Sequence, residues 1–138
     1  MFISELTRRI HDEFKLISRP SGKPFDADDT FHLKAGSSRD LSCMQIQLLR
    51  YFGIAARFVS GYYFNESNFS IDEMHYWVEV YVPDAGWIEF DPSQGIMTGG
   101  SHIPICSSIS FENTLSVRGS FRGTARSNLH TSSNIVIT

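Results

Sequence analysis

Long hydrophobic runs are missing from these 138 residues. No stretch approaches the roughly 20 consecutive apolar residues that a membrane-crossing helix needs. The opening MFISELTRRI carries charges where a secretory leader would be apolar. Cysteine is scarce: Cys43 and Cys106 are the only two, and Cys-x-x-Cys does not occur. That argues against a disulfide framework and fits a reducing compartment, so a cytoplasmic location is expected. A surplus of charge is also lacking. Twelve Lys and Arg stand against fifteen Asp and Glu, for a net charge of -3. Such a balance offers no field for nucleic acid or an acidic membrane. The densest basic cluster, Arg118, Arg122 and Arg126, reads as solvated surface. His11, His32, His75, His102 and His130 show no ligand spacing, so neither a metal nor another cofactor is expected. Repeats and low-complexity segments are absent.

What is present is ordinary in bulk and informative in pattern. Hydrophobic residues make up 41% and charged residues 20%, as in a typical globular protein. The length suits one domain over 1–138 with one core. Aromatics reach 13%, with 11 Phe, which favours a dense core or a groove. In SELTRRIHDEFKLIS, Leu6, Ile10, Phe14 and Ile17 fall at helical spacing, and Ser4 is in place to cap the helix. Pro20, Gly22 and Pro24 break that helix. DTFHLKAG can hold one or two helical turns ending at Gly36. From Arg39 to Phe52 apolar residues occupy nearly all faces, as in a helix surrounded by protein. Gly53 and Ile54 then suit a glycine C-cap.

After Ile54 the period changes to two. ARFVSGYYF, HYWVEVYV and GWIEF are rich in β-branched and aromatic residues, with PDAG as a hairpin connection. The tail from Gly99 contains two further strand-like pieces, HIPIC and NIVIT. Helices first and an antiparallel sheet second is an α+β pattern. The chain stops inside a strand-like run, which is what a piece excised from a longer protein would do.

Alternation in HYWVEVYV sets His75, Trp77, Glu79 and Tyr81 on one face and Tyr76, Val78, Val80 and Val82 on the other, the core face. In GWIEFDP, Trp87, Glu89 and Asp91 share a face, and Pro92 leaves Asp91 at the strand tip. If the hairpin loop has an odd number of residues, Pro83 to Ala85, His75 and Asp91 become diagonal neighbours roughly 7–8 Å apart at the backbone. An even loop would put them on opposite faces. A His oriented by an Asp is a general base. Its nucleophile could sit at a helix N-terminus, where free N–H groups favour a thiolate and a developing oxyanion. The first turn of the central helix holds Ser37, Ser38 and Asp40, and Cys43 lies a turn deeper.

At this point the sequence resembles a known family. GSSRDLSCMQIQLLRYFGIAARFVSGY, HYWVEVYVPDAGWIEFDPSQG and SHIPI look like the bacterial transglutaminase-like superfamily, whose fold is papain-like. The family pattern is Gly-x-Cys-x-Asp at the helix start, then Leu-Arg-x-x-Gly-Ile-x-Ala-Arg-x-Val-Ser-Gly-Tyr, His-x-Trp-x-Glu-Val-Tyr and Gly-Trp-x-x-x-Asp-Pro. The match runs from about Ala35 to Ile105. The resemblance implies His75 as base and Asp91 as its orienting acid. It puts the family's Cys at Ser38, bracketed by Gly36 and Asp40. Cys43 falls where the family has no chemistry, and its apolar neighbours mark it as a core residue. His102 resembles a recurrent position after the Asp-Pro strand, with a structural role or one in support of the catalytic residues. Trp77 and Trp87 are expected in the core or as groove walls.

The resemblance implies a papain-like core acting on peptide or carboxamide bonds of a peptide or protein substrate, through Ser38, His75 and Asp91. Serine is a weaker nucleophile than cysteine, so little or no activity is expected from the chain as it stands. Two other readings stay open. One is a non-catalytic module that keeps the groove and binds peptides. The other is a serine hydrolase using Ser38, against which stands the absence of a Gly-x-Ser-x-Gly elbow.

Overall fold

Ile3, Thr7 and Ile10 recur at helical spacing and form the buried side of helix α1, Phe2–Glu13. The computed structural model describes residues 1–65 and 73–136. Two expectations fail at this helix. The Glu5 N–H already bonds to the Met1 carbonyl at 3.1 Å, so the N-cap is Met1 and Ser4 lies inside the first turn. The helix also stops at Glu13 and does not reach Ile17. Lys15–Leu16 (β1) pairs in parallel with Ala35–Gly36 (β2). The N–H groups of Lys15 and Ile17 donate to the carbonyls of Lys34 and Gly36, both at 2.9 Å. A longer α1 would have needed those same donors.

Helix α2, Ala27–Leu33, ends at Lys34, which adopts a left-handed φ of 52°, two residues before the expected Gly36. The Lys34 ammonium lies over the rings of Phe31, at 3.9 Å, and Phe14, at 4.5 Å. Gly36 serves a different purpose. A Cβ there would come within 2.6 Å of the Asp40 Cβ, so only glycine lets the β2 backbone pass this close to the next helix.

That next helix is α3, Ser38–Tyr51. Every residue from Arg39 to Ile46 is buried, as expected for a helix enclosed by protein. Its last turn is not enclosed, since Tyr51 is 85% and Phe52 62% exposed. Gly53, at φ 76°, allows the Ile54 N–H to reach back to the Leu49 carbonyl at 2.9 Å, the expected glycine C-cap.

Five strands form an antiparallel sheet in the order β6-β5-β4-β3-β7. They are β3 (Ala56–Tyr63), β4 (His75–Val82), β5 (Gly86–Asp91), β6 (Ile96–Met97) and β7 (His102–Ser108). Ile46 and Leu49 of α3 pack against Phe58, Val78, Val80 and Phe90 on one sheet face. A second cluster, Ile10, Phe14, Leu41 and Met44, joins α1 to α3. This is an α+β fold with a central buried helix on an antiparallel sheet. A short 3-10 turn, Phe111–Thr114, follows β7. HIPIC enters β7, but NIVIT corrects the sequence expectation. Asn134 to Val136 form no strand, and Ile137 and Thr138 lie outside the described residues. Strand propensity alone, without a paired strand, makes no ladder.

Candidate active site

The hairpin loop fixes the site. Val82 pairs with Gly86 and Val78 with Phe90, so the loop is Pro83 to Ala85, an odd three residues. Asp84 takes a left-handed φ of 66°, and the Ala85 N–H closes onto the Val82 carbonyl at 3.1 Å. With this register Trp77 lies across from Asp91, and His75 is the diagonal neighbour on the same face. The contact follows: the His75 Nε2 and Asp91 Oδ2 are 2.7 Å apart. An even loop would have turned one of them into the opposite face.

Asp91 is fully buried and has four donors. Its Oδ2 accepts from the Nε2 of His75 and from the Nε2 of His102, the latter at 2.8 Å. Its Oδ1 accepts from the Ser93 N–H at 2.9 Å and the Ser93 hydroxyl at 2.7 Å. Burial alone would push this carboxyl up. The hydrogen bonds from His102, His75 and Ser93, with the charge of His75, outweigh burial and hold it well below the usual carboxylate range. Asp91 is therefore an anion at neutral pH, and each imidazole presents Nε2–H to it. The His75 Nδ1 is the ring nitrogen left to exchange a proton.

Two other side chains, Tyr63 and Trp77, shape the imidazole's surroundings. The Tyr63 ring lies against His75 at 5.2 Å and against His102 at 4.8 Å between centroids. Trp77, fully buried, packs edge-on to His102 at 5.1 Å. Its Nε1–H donates to Glu89 Oε2 at 2.8 Å. Trp87 departs from expectation. It is 41% exposed, and the Arg57 guanidinium stacks on it at 4.0 Å, so it is neither core nor groove wall.

Ser38 is the first residue of α3, and Ser37, not Ser38, is its N-cap. Asp40 Oδ2 accepts from both the N–H and the hydroxyl of Ser37, each at 2.8 Å. Its Oδ1 accepts from Arg19 and, at 2.8 Å, from the Phe25 N–H. Burial would raise the Asp40 carboxyl. The bonds from Arg19, Phe25 and Ser37 overcome this and keep it below its ordinary value. Capping therefore occupies Ser37 and leaves Ser38 as the partly exposed residue of a buried first turn. Its Oγ accepts from the Tyr76 N–H at 3.3 Å. One turn on, Ser42 Oγ donates to the Tyr76 carbonyl at 3.2 Å. These two bonds pin the start of α3 to the peptide next to His75. Ser38, Arg39, Met74, His75 and Tyr76 line one groove of about 620 Å³, whose other walls include Ile17 to Gly22 and Leu115 to Val117.

Cys43 lies elsewhere, 9% exposed in the cluster with Ile46 and Leu49. Burial pushes its thiol up, which disfavours the thiolate. Sequence spacing gave no hint that three metal-capable donors converge. One ligand atom each of His75, Asp91 and His102 lies within 4.8 Å of the others. Both imidazoles point Nε2 at one carboxylate oxygen at hydrogen-bond distance, so a metal there would have to displace two protons first.

Sequence reasoning missed two supports. Ser93 supplies both donors to Asp91 Oδ1, and its place after Asp-Pro could have been read as a turn residue bonding back to the Asp. The other is His11 of α1, which bonds through Nδ1 to the Ser93 carbonyl at 2.9 Å. Gly95, at φ 72°, lets the same turn approach the His11 side chain, since a Cβ there would come within 2.8 Å of the His11 Cβ and 2.9 Å of its ring Cγ. Nothing in the linear spacing of His11 could reveal that contact.

Comparison with known proteins agrees with this geometry. The sequence profile of the transglutaminase-like superfamily matches residues 2–92. The uncharacterized protein YebA of Bacillus subtilis is 41% identical over 76 residues, 47% of this chain and 10% of that protein. Among solved structures, a candidate cysteine protease from Cytophaga hutchinsonii superposes with a TM-score of 0.67 at 25% identity, over 80% of this chain and 37% of its own. The periplasmic domain of TgpA from Pseudomonas aeruginosa, bound to ethylmercury, gives a TM-score of 0.54 at 29% identity, over 68% of this chain and 37% of its own. LapG of Legionella pneumophila shares the fold at 12% identity, with a TM-score of 0.61 over 78% of this chain and 64% of its own. The chain thus spans a tenth of YebA and little more than a third of the Cytophaga protein. With the matched profile, the α3-on-sheet core and the shared fold in agreement, the chain belongs to the transglutaminase-like superfamily.

Proposed function

We propose that this domain has the framework of a cysteine amidase, peptidase or acyltransferase, with Ser38 in the place of the attacking thiol. The observation that carries the reading is the His75–Asp91 pair at 2.7 Å, whose His75 lines a groove shared with the first residue of a 14-residue helix. The name of the Cytophaga protein supports the same chemistry.

In the thiol form, the His75 Nδ1 takes the proton of the thiol at position 38, and the thiolate attacks the carbonyl carbon of a peptide or carboxamide bond. A C–S bond forms and the carbonyl π pair moves to oxygen. N–H groups at the α3 N-terminus stabilise that oxyanion. The C–N bond then breaks, and the His75 imidazolium gives its Nδ1 proton to the leaving amine. Water or a second amine attacks the thioester and loses its proton to His75, the C–S bond breaks, and the thiolate leaves beside the imidazolium. Asp91 holds the ring and the charge it acquires. With Ser38 the hydroxyl proton must be removed during attack, so the step is far slower.

A second reading, a peptide-binding module without catalysis, is favoured by Ser38 itself, whose Oγ already accepts from the Tyr76 N–H. The test is Ser38→Cys assayed for ammonia release from glutamine-containing peptides, with a trapped acyl-enzyme sought by intact mass. Turnover in Ser38→Cys, and at most a residual of roughly 10³–10⁴ over water in the native chain, supports the enzyme reading. Peptide binding without acylation in either form makes the module the better account.

A further inference from the structure

His102 is buried more deeply than its position near the end of the sheet would suggest. Its side chain is 1% exposed, and it spends one ring nitrogen on Asp91. The other, Nδ1, is buried with no hydrogen-bond partner. A proton on Nδ1 would face no acceptor, so the ring carries its proton on Nε2 and donates it to Asp91 Oδ2 at 2.8 Å. A residue needed only to fill this space could be Phe or Leu, which would leave no orphaned nitrogen. The orphan is tolerated where the opposite nitrogen has a task.

The fold goes to some length to deliver that nitrogen. β7 pairs with β3 in register from Phe58–Ser108 to Ser60–Cys106, then shifts at Gly61, which pairs with Pro104. The extra residue, Ile105, is a bulge that re-aims the end of β7. The edge position of β7 accommodates Pro104, which has no N–H to give. Beyond the bulge Tyr63 pairs with His102, and His102 enters between Tyr63 and Trp77.

Two imidazoles therefore share one carboxylate oxygen. His75 is the member that must change protonation during catalysis, and His102 is the one that need not. We propose that His102 is a positioning residue. It anchors Asp91 Oδ2 independently of His75, so the Asp91 carboxylate stays ionised and correctly turned while His75 takes up and releases its proton. This inference rests on the catalytic role proposed above for His75 and Asp91.

Two substitutions separate this role from simple packing. His102→Gln places an amide N–H where Nε2 was and loses the ring. His102→Phe keeps the ring against Tyr63 and Trp77 and loses the donor. Each is made with Ser38→Cys, and the alkylation rate of the introduced thiol is followed with iodoacetamide from pH 4 to 9. The positioning role predicts that Gln retains the rate within about threefold. Phe should lower it about tenfold or more and shift the acidic limb upward in pH, because Asp91 then protonates more readily. Thermal melts confirm that each variant is folded. Rates retained by Phe and lost by Gln would overturn the proposal in favour of packing.

If the introduced thiol shows no activation even with His102 intact, the catalytic reading has failed instead. The positioning role is then decided in the native Ser38 chain by ¹⁵N NMR of the His75 ring. A downfield Nε2–H resonance, hydrogen-bonded to Asp91, should persist in His102→Gln and weaken or shift in His102→Phe. An identical His75 spectrum in both variants would overturn the inference.

Discussion

Asp91 carries more of the account than any other single residue, because a fully buried carboxylate stands only while its donors remain. Its folded carboxyl is held below the ordinary value, so the unfolded chain binds its proton first as pH falls. The stabilisation is complete above the unfolded value of about 3.9 and is lost progressively as pH drops below it towards the folded value. Urea midpoints should hardly change between pH 7 and 5 on this group's account and should fall below about pH 4. Asp91→Asn should be less stable at pH 7 and lose less on acidification. Parallel pH curves for the two proteins would mean that Asp91 is not a buried anion. Cys43 makes the opposite residue-scale prediction. Its thiol is pushed up by burial among Ile46, Leu49 and Phe58. It should therefore label with a thiol reagent only at the rate of global opening, and much more slowly than the half-buried Cys106. Equal rates for the two thiols in the native protein would contradict this placement.

At the scale of elements, the site depends on how strands are registered. The loop Pro83–Ala85 puts His75 and Asp91 on one face, and the bulge opposite Gly61 brings His102 to the same carboxylate. Gly61 has no room for a side chain. A Cβ there would lie 2.0 Å from the Ile103 carbonyl oxygen and 2.7 Å from Trp77. Gly61→Ala should cost at least about 1–3 kcal/mol, measured by urea unfolding, and should disturb the His102–Asp91 contact. Gly99→Ala, with open space around it, should stay within about 0.5 kcal/mol. A Gly61→Ala variant as stable as Gly99→Ala would show that β3 and β7 are not packed this closely.

Some of this was legible in the chain and some was not. Alternation in HYWVEVYV and GWIEFDP was enough to group His75 with Trp77 and Glu79 in one strand and Asp91 with Trp87 and Glu89 in the next, since side-chain period in a strand follows from backbone geometry alone. The loop parity was not decidable, because PDAG suits loops of either length. The end of α1 is hidden in the sequence for a related reason. Phe14 and Ile17 continue the helical spacing, and only the distant partner strand at Ala35–Gly36 draws their backbone away. Ser38 suits an N-cap by residue type, yet Asp40 reaches Ser37 and makes that residue the cap.

At the scale of the whole molecule, helix α3 and the sheet meet so that one helix terminus faces one strand terminus across a groove. The pairing is held by Ser38 and Ser42 on either side of the Tyr76 peptide. The core beneath is shared by α3, β3, β4 and β5, so a core defect should disturb the site's alignment as well as stability. Ile46, fully buried in that core, is the position to test. Ile46→Ala should cost about 2–5 kcal/mol and lower the reactivity of a thiol at position 38 in the folded fraction. Undiminished reactivity in the folded fraction would show that the site tolerates a loosened core.

The most direct test of the central claim is the alkylation rate of Ser38→Cys with iodoacetamide at pH 7, resolved by mapping the modified peptide. A helix N-terminus beside a His–Asp pair should favour the thiolate. The account predicts that the introduced thiol reacts at least about tenfold faster than Cys43 and Cys106, and that His75→Ala abolishes the advantage while leaving the protein folded. A thiol at position 38 that reacts no faster than Cys106, or one whose speed survives His75→Ala, would contradict it.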